Sequence, residues 1–287
     1  MELLLDQKHK ERFNEEGYLL IPGVFSQAET DKFREESERI AEFLVNSSIA
    51  NERLSERLDI RETSSGTWSV RKIQPIVDIS EIFSGLALQE SLLKAVGFLQ
   101  DASPQLMEEK LSYKLHLSGT ITGISVYKAE DQFLPHTDYA YHIEHGYPPS
   151  IITCGIFLDD VTPEKGPIRV WPGTHREEME HENIVIDGYR SRKIRDHLLE
   201  NRSSAELLSA AGTIVFFHDL LAHSSAPNTG DVPRRIIFFS YCPSGTIEET
   251  DVRNSPVRTR ESFYERTYLK MKSEGKYADS FRLVYSK

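Results

Sequence analysis

The stretch GTIVFFHDLLAHSSAPNTGDVPRRIIFFSYC, residues 212–242, contains two apolar runs separated by a polar loop. The runs GTIVFFH and RRIIFFSYC are rich in isoleucine and phenylalanine, which favour strands, whereas the proline, asparagine and glycine between them favour turns. Four similar runs come earlier, from about residue 105 onward: KLSYKLHL, TITGISVYK, SIITCGIFL and PIRVWPG. Short runs at this spacing predict an antiparallel sandwich or barrel, of which the jelly roll is one type.

The first hundred residues have a different pattern and predict mostly helix. Ser26 is a candidate N-cap because Glu29 completes a capping-box pattern with it. The predicted elements are a polar helix before Gly17, a strand and turn in GYLLIPGVF, a helix from Gln27 to about Asn46, a loop with a short helix over 47–67, and a helix over about 87–99.

We expect residues 1–287 to form a single domain with three parts. A mostly helical N-terminal layer over 1–104 precedes a β-barrel core over 105–245, and a C-terminal helix and tail occupy 246–287. A charged insertion near 176–208 interrupts the succession of predicted strands. Because it lacks strand periodicity, we expect a helical or mobile lid over one mouth of the barrel.

The composition is that of a globular protein, with 39% hydrophobic and 28% charged residues. The net charge of −11 argues against a nucleic-acid surface, because a basic face is needed to neutralise phosphates. No stretch approaches the roughly 18 consecutive apolar residues of a membrane span. The first residues lack the features of a signal peptide, which predicts a cytoplasmic location. Cys154 and Cys242, the two cysteines, lie in apolar contexts that predict buried free thiols.

The stretch FLPHTDYAYH, residues 133–142, places His136 and Asp138 two positions apart. In an extended strand such residues project from the same face, so both side chains can point at one metal ion. His223 supplies a third candidate ligand. Two histidines and one carboxylate form the facial triad of non-heme Fe(II) oxygenases. His142 and His145 are alternative ligands for a zinc site, but neither has the same relation to His136.

Arg234 stands eleven positions after His223 and opens the next predicted strand. A hairpin of that length would return Arg234 to the neighbourhood of the metal. Its guanidinium could hold a carboxylate with two hydrogen bonds, as a chelating 2-oxo acid requires. Arg235 must then point to the opposite face of the strand, because successive residues of a strand alternate.

These residues resemble the phytanoyl-CoA dioxygenase-like (PhyH) family of Fe(II)/2-oxoglutarate-dependent oxygenases. The resemblance covers His136-Thr137-Asp138, LDDVTPEKGPIRVWPGTHR from residue 158 and HSSAPNTGDVPRR from residue 223, and it extends more weakly to GYLLIPGVFS near the start. It implies a fold that is mainly β with flanking α: a double-stranded β-helix (jelly-roll, cupin-like) core with N-terminal helices.

The resemblance also implies residue roles. Fe(II) would be bound by His136, Asp138 and His223, and Arg234 would pair with the distal carboxylate of 2-oxoglutarate. The other implied residues are Ser225 as the hydroxyl partner of Arg234 and Lys72 near the cosubstrate. Tyr139, Tyr141 and His142 are candidates for the substrate pocket because they closely follow Asp138, and packing in the core or at the rim is an equal explanation for the two tyrosines.

The implied enzyme uses O2 to hydroxylate a small-molecule metabolite, or to oxidise it otherwise at a C–H bond, and converts 2-oxoglutarate to succinate and CO2. Halogenating relatives are expected to carry glycine or alanine where Asp138 stands, so hydroxylation, desaturation or ring formation is favoured. Two alternatives remain: a non-catalytic barrel that binds a small acid, and a zinc- or manganese-dependent hydrolase or isomerase with the same ligands. The expected assembly is a monomer or homodimer.

Overall fold

The fold comes from a computed structural model, which describes residues 3–117, 121, 124–186, 188–246 and 255–283. The helices in these ranges are α1 (Gln7–Glu16), α2 (Gln27–Ala50), α3 (Glu81–Ala87), α4 (Glu90–Gln100), α5 (Tyr139–His142) and α6 (Ser255–Ser273). The strands are β1 (Tyr18–Ile21), β2 (Leu58–Glu62), β3 (Trp68–Ile73), β4 (Pro104–Leu117), β5 (Tyr127–Lys128), β6 (Phe133–His136), β7 (Ile152–Phe157), β8 (Ile168–Val170), β9 (His181–Ile186), β10 (Tyr189–Ile194), β11 (Ala205–Glu206), β12 (Ile214–His218), β13 (His223–Ser225) and β14 (Ile236–Pro243).

Two sheets form the core. The large sheet has eight strands in the order β1-β12-β7-β14-β4-β3-β2-β5, and the small sheet has four in the order β11-β8-β13-β6. Phe217 and Phe238 of the large sheet share a buried apolar cluster with Ile168 and Val170 of the small one. The two sheets therefore pack face to face, and the predicted mainly β jelly-roll core is confirmed.

Strand β14 is apolar on both faces because both are covered. Ile236 and Phe238 belong to the cluster between the sheets, whereas Ile237 and Phe239 belong to the larger cluster that includes the N-terminal helices. The strand is hydrogen-bonded to β4 on one side and to β7 on the other. Arg234 and Arg235 directly precede β14, so one side chain is expected to face the barrel interior and the other the helical layer.

The helical layer begins as the sequence predicts. Ser26 caps α2: its hydroxyl accepts a hydrogen bond from the backbone N–H of Glu29, and its own N–H donates to the Glu29 carboxylate at 2.8 Å. The helix continues to Ala50, four residues past the predicted end. The predicted helix over about 87–99 corresponds to α4, which begins at Glu90, and a separate helix α3 that was not predicted ends at Ala87.

The prediction of a loop with a short helix over 47–67 is wrong. Strand β2 lies in this segment and, with β3, extends the large sheet within the N-terminal layer, so that layer is less helical than expected. The sequence did not predict these strands, because their buried faces carry charged residues that form ion pairs. Arg71 is 6% exposed, and its Nη2 lies 2.7 Å from an oxygen of Asp59. In the sequence alone, such charged residues are typical of a solvated loop, which led to the wrong prediction.

The charged insertion also differs from expectation. Strands β9 and β10 pair in antiparallel register and form a β-hairpin, so the prediction of a helical excursion is wrong. The hairpin covers the end of β6: the backbone N–H of Arg192 donates to the Tyr141 hydroxyl at 3.1 Å, and the Arg192 guanidinium forms an ion pair with Glu144. Closure of this segment over a substrate stays a prediction.

Helix α6 is held to the N-terminal layer by buried ion pairs. Arg57 is 1% exposed, and its guanidinium lies 2.6 Å from Glu265 of α6 and 2.6 Å from Asp78. Helix α6 occupies 255–273 within the segment 246–287 that was expected to form a C-terminal helix and tail, and residues 247–254 and 284–287 of that segment lie outside the described residues.

Cys154 and Cys242 are both buried and free, as predicted. Among the described helices, none is individually long and apolar enough to cross a membrane. The bent pair α3 and α4 meets that test by length and composition when the two are taken together.

Gly166, in the segment that leads into β8, approaches another backbone too closely for a side chain. Its φ is +64°, and a Cβ there would lie 2.3 Å from the carbonyl oxygen of Ala226, just after β13. Gly166→Ala is therefore expected to destabilise the fold by about 3 kcal/mol, because backbone must shift. Gly85→Ala in α3 is the matched control, since a Cβ there meets nothing within 4 Å. Urea unfolding of both variants tests this, and equal midpoints would contradict it.

Candidate metal centre and cosubstrate pocket

Two neighbouring strands bring the predicted ligands together. His136 ends β6 and His223 begins β13, and these two residues face each other in the antiparallel register. Asp138 has helical angles, φ −64° and ψ −33°, and precedes α5. The prediction that His136 and Asp138 share one extended strand is therefore wrong, because the chain turns into a helix after His136.

The three side chains nevertheless converge. The His136 Nε2 atom lies 3.6 Å from Asp138 Oδ1, and the His223 Nε2 atom lies 3.9 Å from the same oxygen. Their ligand atoms all lie within 4.8 Å of one another, a spacing at which one metal ion can contact all three.

Backbone carbonyls orient both imidazoles. The Nδ1 atom of His136 lies 2.6 Å from the Leu134 oxygen, and that of His223 lies 3.0 Å from the Leu221 oxygen. A neutral ring that donates from Nδ1 presents the lone pair of Nε2, so both rings direct a metal-binding atom toward Asp138.

Charge states in the centre also suit a cation. Burial lowers the pKa of His223 to about 4, which keeps the ring neutral at pH 7. Burial acts to raise the pKa of Asp138, but the nearby Lys110 ammonium and the His136 side chain hold it well below its ordinary value. The donor set is thus the imidazoles of His136 and His223 and the carboxylate of Asp138, which fits Fe(II).

A cavity of about 580 Å³ opens beside this centre. Its apolar wall includes Phe133, Ile168, Phe217 and Phe238. Another part of the wall is polar and is built by side chains that alternate along β4: Glu108, Lys110 and Ser112. A cavity of this size accommodates a small molecule together with a cosubstrate.

Arg234 lies at the wall of this cavity as an incompletely paired cation. It is 1% exposed, and its Nη1 donates to the Ser112 hydroxyl at 3.3 Å. Its Nε is buried without a hydrogen-bond partner in the described part of the chain. Burial lowers the pKa of Arg234 to about 10, so the guanidinium stays charged at pH 7. A buried cation of this kind is costly unless an anion binds it, and the 2-oxoglutarate carboxylate is such an anion.

Ser225 and Lys114 are close to Arg234 in the fold. Ser225 is 5% exposed and lines the cavity. Lys114 is fully buried, and its ammonium donates to the Ala226 carbonyl. Burial and the nearby Arg234 charge hold the pKa of Lys114 well below its ordinary value. The Asp131 carboxylate acts on both Arg234 and Lys114, so these two buried basic side chains share one acidic neighbour.

Arg235 points away from the cavity, to the helical layer. Its guanidinium contacts Asp159 at 2.7 Å and 2.9 Å and Glu38 of α2 at 2.7 Å. It is 5% exposed, so it is a buried structural cation rather than a solvated one. Arg235 thus lies on the opposite face of the strand from the cavity, as predicted.

Of the three residues predicted for the substrate pocket, two line the cavity. Tyr141 and His142 line the cavity, whereas Tyr139 is absent from its described lining. His142 is buried, and its Nδ1 lies 2.7 Å from an oxygen of Asp219. His145 is exposed and stands outside the three-residue ligand group.

Lys72 lines the cavity on β3, where it pairs in register with Ser112 of β4. Sequence reasoning missed the β4 residues Glu108, Lys110 and Ser112. Their signal was available, because polar side chains recur at every second position from 108 to 114. That alternation predicts a strand with a polar face, and in a barrel the polar face can be the interior one.

Comparisons with known proteins identify the family of this chain. The family model of phytanoyl-CoA dioxygenase (PhyH) matches residues 13–236. The ectoine dioxygenase of Stutzerimonas stutzeri (strain A1501) is 26% identical over 245 residues, which cover 80% of this chain and 74% of that protein. The L-proline trans-4-hydroxylase of Streptomyces griseoviridis is 26% identical over 261 residues, 83% of this chain and 86% of that protein.

Among solved structures, EctD from S. alaskensis with 2-oxoglutarate and 5-hydroxyectoine superposes with a TM-score of 0.64 at 21% identity. The match covers 85% of this chain and 78% of that chain, and it shows a shared fold. With the family model spanning most of the sequence, the chain belongs to the phytanoyl-CoA dioxygenase (PhyH) family of Fe(II)- and 2-oxoglutarate-dependent oxygenases.

Proposed function

We propose that His136, Asp138 and His223 hold the Fe(II) ion of this oxygenase and that Arg234 holds 2-oxoglutarate beside it. The observation that carries the proposal is the juxtaposition of a three-ligand group with a buried, incompletely paired guanidinium in one cavity. Ser225, which lines the same cavity, supplies a hydroxyl to the distal carboxylate.

When bound, iron, 2-oxoglutarate and O2 together supply the oxidation of a C–H bond, with decarboxylation of 2-oxoglutarate to succinate and CO2. The chain's own residues bind and orient the reactants. Leu134 and Leu221 fix the two imidazoles through their carbonyls. Phe217 and Phe238 exclude water from one wall of the cavity.

The prime substrate is a small molecule. Curated relatives are named for ectoine and for L-proline, and both compounds are small enough for the cavity beside the triad. We propose hydroxylation as the reaction, since Asp138 keeps a carboxylate in the ligand set. Tyr141 and His142 line the substrate side.

The two alternatives are not favoured. A barrel that merely binds an acid would not need two imidazoles oriented toward a carboxylate. A zinc or manganese hydrolase would leave the Arg234 end of the cavity without a role. The further expectations of a cytoplasmic location, a monomer or homodimer and no nucleic-acid partner stay predictions.

Conversion of 2-oxoglutarate to succinate tests the proposed function. The purified protein is expected to form succinate slowly without a prime substrate, and only when both Fe(II) and O2 are present. The measurement is succinate formed per protein under air and under argon. The proposal would be contradicted if no succinate formed at any iron concentration and the protein showed a hydrolytic activity that requires zinc.

A further inference from the structure

Thr137, which lies between the ligands His136 and Asp138, is held by a side chain from outside the ligand group. It is 2% exposed, and its backbone N–H donates to the His181 Nε2 atom at 3.1 Å. The Thr137 hydroxyl lies 3.4 Å from the same nitrogen. Because a buried backbone N–H without a partner is costly, His181 stabilises the peptide group between His136 and Thr137.

Two hydrogen bonds define the state of the His181 ring. Its Nδ1 atom lies 2.8 Å from the Met179 carbonyl oxygen. A carbonyl oxygen can only accept, so Nδ1 carries the proton and Nε2 keeps the lone pair that accepts from Thr137. Burial lowers the pKa of His181, in agreement with a neutral ring at pH 7. The ring therefore acts as a hydrogen-bond acceptor toward the segment that joins the two ligands.

The conformation of that segment affects where the Asp138 carboxylate lies. His136 ends β6, whereas Asp138 already has the helical angles of the segment that leads into α5. The chain thus changes conformation at Thr137. A rotation of the peptide group at Thr137 would move the Asp138 carboxylate away from the His136 Nε2 atom, which lies 3.6 Å from it.

The β9–β10 hairpin, which begins with His181, also contacts the chain after Asp138. The Arg192 backbone N–H donates to the Tyr141 hydroxyl at 3.1 Å, and the Arg192 guanidinium donates to the Ala140 carbonyl. The hairpin therefore holds the chain on both sides of Asp138.

The base of the hairpin is packed near the third ligand. Ile194 pairs in register with His181 and is fully buried. It belongs to an apolar cluster that includes Met179 and Ala222, and Ala222 directly precedes His223. Packing thus sets the position of His181 relative to the strands that carry the ligands.

We infer that His181 is a positioning residue of the metal centre: by accepting from the Thr137 N–H, it holds the turn that places Asp138 beside His136. The inference rests on the proposed function, since it takes these two residues as iron ligands. His181 stands outside the three-residue ligand group and acts through the backbone of the turn.

Iron binding by folded variants tests the inference without turnover. Fe(II) affinity is measured under argon against a competing chelator, with circular dichroism as the check on folding. His181→Leu removes the acceptor and is expected to weaken Fe(II) binding by about tenfold, the lower end of the loss usual when a residue that orients a ligand is removed. His181→Gln can place its side-chain oxygen near the Nε2 position, so its affinity should stay within about threefold of wild type.

His175→Leu is the matched control. His175 is also partly buried, but its Nε2 atom lies 3.2 Å from the Asn14 carbonyl oxygen of α1, and it is absent from the described lining of the cavity. This variant should bind Fe(II) within about threefold of wild type, because its effect is confined to the contact with α1. If His181→Leu does not fold, His181→Phe keeps a planar ring without the nitrogen and makes the same comparison.

Three results would overturn the inference: wild-type Fe(II) affinity in His181→Leu, equal losses in His181→Leu and His181→Gln, or equal losses in His181→Leu and His175→Leu. The second would show that the acceptor is not what matters, and the third that general destabilisation is the cause. Wild-type protein that binds iron and forms succinate while His181→Leu keeps its affinity refutes only the inference. Wild-type protein that does neither refutes the proposed function.

Discussion

His223→Ala is expected to retain less than about a tenth of the iron bound by the wild-type protein, and His136→Ala and Asp138→Ala are expected to behave alike. Removing even a residue that merely orients a ligand usually lowers metal affinity 10- to 100-fold, and loss of a ligand should cost at least as much. Because the barrel core between the sheets is apolar and does not depend on these side chains, each variant should still fold.

Metal analysis after anaerobic loading with Fe(II), with circular dichroism as the check on folding, measures this effect. His145→Ala is the matched control, because His145 is an exposed histidine on the short turn that follows α5. It should bind iron like the wild type. Full iron content in folded His223→Ala protein would exclude His223 as the third ligand.

Arg234→Ala is expected to weaken 2-oxoglutarate binding by about 10- to 200-fold, which corresponds to charge-assisted hydrogen bonds worth roughly 1.5 to 3 kcal/mol. The physical reason is that the guanidinium is buried beside the metal centre and pairs with no carboxylate in the part of the chain described. Its removal deletes the binding partner and does not break an ion pair within the protein. The variant should therefore keep most of its stability.

Arg235→Ala is the matched comparison, and we expect the reverse pattern. It breaks the buried contacts to Asp159 and Glu38 and should lower the free energy of unfolding by about 2 to 4 kcal/mol. The affinity of the folded variant for 2-oxoglutarate should stay within about threefold of wild type, since Arg235 lies outside the cavity. Titration with 2-oxoglutarate and urea unfolding of both variants separate the two effects. A larger loss of affinity in Arg235→Ala would contradict the assignment.

The sequence predicted the β core because its apolar runs are strongly strand-like, and the spacing of His136, Asp138, His223 and Arg234 predicted which residues would meet. The expectation that His136 and Asp138 share one extended strand was wrong. Asp138 reaches His136 through a turn into α5, and a local turn after a strand is not visible in a two-residue spacing.

Elements whose stability depends on distant partners were the ones that could not be predicted. Strands β2 and β3 carry buried arginines that form ion pairs with Asp59, so their charge concealed their burial. The β9–β10 hairpin has many charged residues, some of which form ion pairs, such as Arg192 with Glu144 and Lys193 with Asp196. In both cases the strand is specified by tertiary contacts, and the local pattern alone resembles a loop.

Anaerobic visible spectroscopy tests the central claim most directly. If Fe(II) is bound by His136, Asp138 and His223 with 2-oxoglutarate beside Arg234, adding 2-oxoglutarate to the iron-loaded protein under argon should produce the weak visible charge-transfer band of the metal chelate. The band should require both iron and 2-oxoglutarate and should be absent in His223→Ala. A protein that binds both without producing this band, or that produces it undiminished in His223→Ala, would contradict the account.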